Sequence, residues 1–118
     1  MSNEADSDKP ALSPSEEMSD VRREIDAIDD EIVALLAKRQ RQIERAARVK
    51  PSLGIPARVP DRVDEVLARV LAAAHREGFS KPLAMDLWTA VIEWSINYEE
   101  RLMGDKGPKE GDSPGNRR

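Results

Sequence analysis

A regular apolar pattern between Met18 and Lys50 constrains the fold of this chain more than any other feature. The pattern repeats in steps of three and four residues, which places its members on one face of an α-helix. The apolar members are Met18, Val21, Ile25, Ile28, Ile32 and Leu35, and the rhythm continues through Arg39, Ile43, Ala46 and Lys50. The spacing predicts one helix of about 33 residues, roughly 50 Å long.

Two cations interrupt the apolar face of this helix. Arg39 and Lys50 lie within about 20° of each other around the helix axis and within about 40° of Ala46, where Leu or Ile would be expected. Because a buried, unpaired charge is strongly unfavourable, one interpretation is that a small dianion lies over Ala46 and meets both cations. The other is that both side chains reach solvent, as part of a basic run that complements the helix dipole, and spacing alone favours it.

Two further helices are predicted, and no segment has the alternation of a strand. The first helix should start near Ser15 or Ser19, either of which could cap it, and should end at Lys50 because Pro51 follows. The predicted second helix runs from Pro60 or Asp61 to Glu77, and the third from a cap at Ser80 to about Met103. The predicted fold class is therefore all-α, with three helices, one of them very long.

The ordered part is predicted to be one domain, residues 16–103. Residues 1–15 and 104–118 are rich in Pro, Gly and charge, so both are expected to be disordered tails. A domain of about 90 residues has a radius of gyration near 12 Å. Since a short helix pair cannot cover a helix of roughly 50 Å, we expect the long helix to pack against its copy in a homodimer.

Composition excludes several classes of function. The chain has no cysteine and a single histidine, His75, so thiolate and multi-histidine metal sites are excluded and no metal is expected. The net charge of −4 argues against a general nucleic-acid binder. Because no apolar run is long enough for a signal or membrane segment, we expect no membrane partner and a cytoplasmic location. No Ser-His-Asp set, paired-carboxylate motif or Gly-rich phosphate loop is present, so an enzyme here would act through confinement and electrostatics.

The third helix carries two polar residues in its apolar face, Ser95 and Glu99. From spacing alone, a carboxylate at residue 99 is either a pocket residue or a partly exposed residue near the helix end. Both interpretations stay open on the sequence.

Three segments together resemble a known family. The run VRREIDAIDDEIVALLAKR, followed eleven residues later by Lys50, resembles the first helix of the all-α (class II) chorismate mutases, and PARVPDRV and VIEWSINYEE extend the similarity. It covers residues 18–103. The resemblance implies an intertwined helical homodimer that converts chorismate to prephenate by a Claisen rearrangement, without a cofactor.

The resemblance also implies roles for individual residues. Arg22 is similar to an arginine that crosses into the partner's site to bind one carboxylate of a small dicarboxylate substrate, and Arg39 to the arginine that binds the other. Lys50 resembles the lysine that contacts the ether oxygen and a carboxylate. Arg62 matches an arginine near the substrate, and Ser95 a small polar pocket residue.

By the same resemblance, Glu99 occupies a position that in the family is usually a Gln that hydrogen-bonds the ether oxygen. A carboxylate there would repel the charge that develops on that oxygen, so we hypothesise that Glu99 is protonated, or neutralised by Lys50, in the active complex. Activity is then expected to rise toward mildly acidic pH.

Two positions depart from the family pattern. Val63 stands where many members have a Glu that binds the C4 hydroxyl, and Val59 replaces an acidic loop residue. The combination of Gly54-Ile55-Pro56, Arg62-Val63 and Glu99 looks like the branch that acts on 4-amino-4-deoxychorismate, which is an equal candidate. An isochorismate pyruvate lyase and a non-catalytic helical dimerisation protein are the alternatives.

Overall fold

The computed structural model describes residues 11–106 and contains three helices. These are α1 (Pro14–Leu53), α2 (Pro60–Glu77) and α3 (Lys81–Lys106). Residues 11–106 contain no strand, so the predicted all-α class is confirmed. Among the described residues, no helix combines the length and the apolar character that crossing a membrane requires. The cytoplasmic location stays a prediction.

Helix α1 begins with a capping box that lies earlier than either predicted cap. The Ser13 Oγ accepts a hydrogen bond from the Glu16 N–H (3.1 Å), and Glu16 Oε1 accepts one from the Ser13 N–H (2.9 Å). Pro14 takes the first helical position, where its missing N–H costs nothing. The Ser-x-x-Glu pattern at residues 13–16 was readable in the sequence, and it starts the helix before Ser15 and Ser19.

Helix α1 also extends three residues beyond Lys50, so the prediction that Pro51 ends it is wrong. Pro51 lies in the last turn, where its fixed φ suits the helix and only one N–H is lost. The chain leaves the helix after Leu53, where the Gly54 N–H bonds to the Pro51 carbonyl (3.1 Å) and the Ile55 N–H to that of Lys50 (3.0 Å). Gly54 has φ +68°, a left-handed conformation that favours glycine.

Helices α2 and α3 follow their predicted boundaries closely. Gly78, at φ 72°, ends α2 as predicted, and the Phe79 N–H bonds to the Ala74 carbonyl (2.8 Å). The Ser80 Oγ accepts a hydrogen bond from the Leu83 N–H (3.2 Å) and caps α3 as predicted. Helix α3 continues three residues past Met103. Residues 1–10 and 107–118 lie outside the described residues, and the tails predicted there stay predictions.

The chain comprises two units, the first ending at Lys38 and the second beginning at Arg39. In the first unit, the apolar face of α1 is exposed to solvent. Its large side chains are about 40–65% exposed: Met18, Val21, Ile25, Ile28, Ile32, Val33, Leu35 and Leu36. In the second unit, α2 packs on α3 around Ala57, Ile92 and Ile96, and partly buried side chains such as Trp88 complete this small core.

Candidate active site

A cavity of about 350 Å³ lies within the second unit, a size typical of small-molecule sites. Its lining comes from the C-terminal part of α1, the loop that follows, the start of α2 and the middle of α3. The α1 residues are Arg39, Gln42, Ile43, Ala46 and Lys50, whose spacing of three and four is that of one helix face. Arg39 and Lys50 therefore line one cavity over Ala46, and the alternative in which both only reach solvent is wrong.

Lys50 is held at two points. Its Nζ donates to Glu99 Oε1 (2.7 Å) on α3 and to the backbone carbonyl of Ala57 (3.0 Å) in the loop. The side chain is 19% exposed. Because an ammonium group has three N–H donors, one remains for a ligand.

Glu99 is almost completely buried, at 4% exposure. This placement decides between the two interpretations of residue 99: Glu99 is a pocket residue and not an exposed residue of the helix end. Burying a carboxylate is unfavourable unless a charged partner compensates, and the Lys50 ammonium at 2.7 Å does so.

Arg39 is held by Ser95. The Arg39 Nη1 donates to the Ser95 Oγ (2.9 Å), and the Ser95 hydroxyl donates to the Val91 carbonyl one turn earlier on α3 (2.8 Å). Ser95 is 5% exposed. Because its only proton is engaged, Ser95 acts as an acceptor toward Arg39 and holds the Nη1 end of the guanidinium group.

Arg62 on α2 also lines the cavity but is more exposed, and it pairs with the exposed Glu65 on the same helix (2.9 Å). The lining then carries three cations, Arg39, Lys50 and Arg62, and one carboxylate, Glu99, for a net charge of +2. Burial lowers the pKa of Arg39, and the positive charge of Arg62 lowers it further, while Glu99 partly opposes both. A bound dianion would relieve this repulsion.

The rest of the cavity wall is apolar. Val59 from the loop, Val63 and Val66 from α2, and Ile92 and Ile96 from α3 complete it. Val59 and Val63 are half-buried, and both present isopropyl groups to the cavity.

Arg22 belongs to the first unit and is exposed on α1. Its predicted role across a dimer interface stays a prediction.

The structure adds contacts that sequence reasoning missed. The sequence could not identify the Ala57 carbonyl as a hydrogen-bond acceptor for Lys50, because any residue supplies a backbone acceptor. Gln42 was predictable as a cavity residue, since it lies three residues after Arg39 on the same helix face. The Tyr98 hydroxyl donates to Glu44 Oε2 (2.7 Å) and is a third side-chain contact between α3 and α1. Within the described part of the chain, no group of three or more His, Cys, Asp or Glu side chains could hold a metal ion.

Comparison with known proteins gives this geometry a family context. Residues 21–100 match the family model described as chorismate mutase type II. The bifunctional chorismate mutase/prephenate dehydratase of Aquifex aeolicus (strain VF5) is 28% identical over 98 residues, which cover 80% of this chain and 27% of that protein. The chorismate mutase of Methanocaldococcus jannaschii is 27% identical over 88 residues, which cover 75% of this chain and 89% of that protein.

A third relative is the T-protein of Haemophilus influenzae, 33% identical over 91 residues, which cover 77% of this chain and 24% of that protein. The chain therefore spans about a quarter of the length of the bifunctional relative and of the T-protein, and most of the length of the Methanocaldococcus protein.

Proposed function

Because the chain belongs to the chorismate mutase type II family, we propose that it catalyses the Claisen rearrangement of chorismate to prephenate. The observation that carries this proposal is the convergence of Arg39, Lys50, Arg62 and Glu99 on one cavity with a net charge of +2. Chorismate is a dianion of matching charge, with two carboxylates and an enolpyruvyl ether.

The guanidinium groups account for binding and confinement. Arg39, held at Nη1 by Ser95 at 2.9 Å, has further N–H donors that can bind one carboxylate. Arg62 is close enough to influence Arg39 electrostatically and can leave Glu65 to meet a ligand. Holding the substrate in its compact diaxial conformer removes conformational freedom before the reaction, and no nucleophile is needed.

Lys50 accounts for stabilisation of the transition state. As the C–O bond breaks, the ether oxygen gains negative charge. Glu99 and Ala57 hold the ammonium group in place, and its third N–H remains for that oxygen. A donor that is already oriented costs no reorganisation during the reaction, so its stabilisation is greater in the transition state than in the ground state.

Glu99 is compatible with this role because of its partner. At 2.7 Å, the Lys50 ammonium balances the carboxylate, which supports the second form of the hypothesis, in which Lys50 neutralises Glu99.

We further propose that the active form is an intertwined homodimer in which Arg22 of a second copy reaches the cavity. The exposed aliphatic face of α1 between Met18 and Leu36 needs a partner of similar length. Residues 16–31 carry eight acidic side chains, and residues 38–50 carry six basic ones. An antiparallel arrangement of two copies of α1 would place these opposite charges against each other.

A second candidate substrate is 4-amino-4-deoxychorismate. It is considered because Val59 and Val63 line the cavity where the family resemblance implies a carboxylate that binds the C4 hydroxyl. These valines leave the C4 substituent without a charged contact from either position.

The experiment presents chorismate, 4-amino-4-deoxychorismate and isochorismate separately and identifies each product by mass spectrometry. We expect prephenate from chorismate. Formation of 4-amino-4-deoxyprephenate alone would favour the second candidate, and salicylate with pyruvate would identify a lyase. Arg39→Ala and Lys50→Ala should each abolish most turnover and leave the sedimentation of the protein unchanged. If none of the three compounds reacts, the enzymatic proposal fails and a helical dimerisation protein remains.

A further inference from the structure

The loop between α1 and α2, residues 54–59, supplies part of the machinery around Lys50. Ala57 is 8% exposed, and its carbonyl accepts one of the two hydrogen bonds that orient the Lys50 ammonium group. Two residues later, Val59 lines the cavity. The direction of the free Lys50 N–H therefore depends on where this loop holds Ala57.

The neighbouring residue fastens the loop to α3. Arg58 makes a bidentate ion pair with Glu93: its Nη1 donates to Oε2 (2.9 Å) and its Nη2 to Oε1 (2.7 Å). Two parallel hydrogen bonds fix direction as well as distance. Glu93 lies on the same helix as Glu99, which is the other anchor of Lys50. The pair thus joins the two elements that hold the ammonium group.

This contact is too exposed to serve mainly as a source of stability. The Arg58 and Glu93 side chains are 46% and 48% exposed, and ion pairs in such settings contribute little to folding. Its geometry, in contrast, is specific, and it lies one residue from an acceptor of the reactive cation. A small displacement of a catalytic group lowers the rate more than it lowers stability.

We propose that Arg58 and Glu93 form a latch that holds the loop 54–59 against α3 and thereby positions Lys50. The role of the latch in turnover depends on the proposed function, since it acts through the ammonium group assigned to the ether oxygen. Arg58 and Glu93 are positioning residues and need not touch the substrate.

Four variants test the latch: Arg58→Gln, Glu93→Gln, the exchanged pair Arg58→Glu/Glu93→Arg, and the control Arg76→Gln, which removes a more exposed arginine at the end of α2. We expect each single neutral variant to lower kcat about tenfold with KM changed less than about twofold, because the loss concerns the transition state. The exchanged pair should recover most of kcat, since it restores the bidentate contact, and Arg76→Gln should match the wild type.

A merely structural role would give a different result. If the single variants keep the wild-type kcat, or if the exchanged pair is as impaired as they are, the latch is overturned. An equal loss in Arg76→Gln would also overturn it, because any surface charge would then suffice.

Hydrogen exchange of the loop separates failure of the latch from failure of the proposed function. Peptides covering residues 54–59 should exchange several-fold faster in both single variants than in the wild type and return to wild-type rates in the exchanged pair. This readout needs no substrate. Faster exchange would therefore support the latch even if the wild type turned over none of the three compounds, whereas unchanged exchange would overturn it whatever the activity.

Discussion

Replacement of Lys50 by Met isolates the most demanding interaction in the cavity. Met preserves most of the apolar stem of Lys50 and removes only the ammonium group. Glu99 would then remain 4% exposed without the cation that now lies 2.7 Å from its Oε1. We therefore expect Lys50→Met to destabilise the protein because the buried Glu99 carboxylate loses its compensating cation, and not because packing is lost.

The size of the effect follows from the distance and the burial. At an effective dielectric constant of about 20, charges 2.7 Å apart attract by about 6 kcal/mol. Most of this attraction offsets the free energy of removing both ions from water. When one partner is lost, the remaining buried ion is uncompensated, and the protein is typically destabilised by about 3–5 kcal/mol. Because the Lys50 side chain is 19% exposed, water can reach the site, and we expect about 3 kcal/mol.

The assay is urea unfolding followed by circular dichroism. All variants must be compared at one protein concentration, because association makes apparent stability depend on concentration. The double variant Lys50→Met/Glu99→Gln removes the stranded charge and should recover all but about 1 kcal/mol. Lys38→Met makes the same chemical change at an exposed position of α1 and should stay within about 0.5 kcal/mol of the wild type. A double variant as unstable as Lys50→Met would refute the reasoning.

Two further outcomes are expected. Arg39→Lys should lower kcat/KM about 100-fold while stability changes by less than about 1 kcal/mol, because an ammonium group cannot keep both the Ser95 contact and a two-point grip on a carboxylate; wild-type kinetics would contradict this. The hydrogen bond to Glu44 raises the pKa of Tyr98, so absorbance titration of this single tyrosine should give a midpoint above 10.0, and Glu44→Gln should lower it. The stabilisation from this bond is then complete below the unfolded pKa and lost as pH rises through the folded pKa.

Much of the fold was readable from periodicity and caps. The pattern from Met18 to Lys50 predicted the long helix, and Gly78 and Ser80 marked the ends of α2 and α3. The errors concern the ends of α1. Pro51 does not end α1, since proline breaks a helix interior but fits a last turn, and Ser13 caps the helix in place of Ser15 or Ser19.

The cavity was only partly predictable. Helical spacing brought Arg39, Ala46 and Lys50 to one face but could not show whether that face is buried, because burial depends on α2 and α3. Backbone acceptors such as the Ala57 carbonyl carry no sequence signal. The contacts of Ser95 and Glu99 with α1 join residues 49 or more positions apart, a separation beyond any local pattern.

The charge balance of the cavity bears on the choice between the two candidate substrates. Three cations and one carboxylate give a net charge of +2, which complements the dianion chorismate. An amine at C4 is protonated near neutral pH, so the 4-amino analogue carries one negative charge less. Its ammonium group would face Val59 and Val63, which provide no acceptor, and burying an unpaired charge costs more than burying a hydroxyl. The same valines would leave a C4 hydroxyl without a carboxylate and a C4 ammonium group without an acceptor, and the second loss is the larger, which supports chorismate as the proposed substrate.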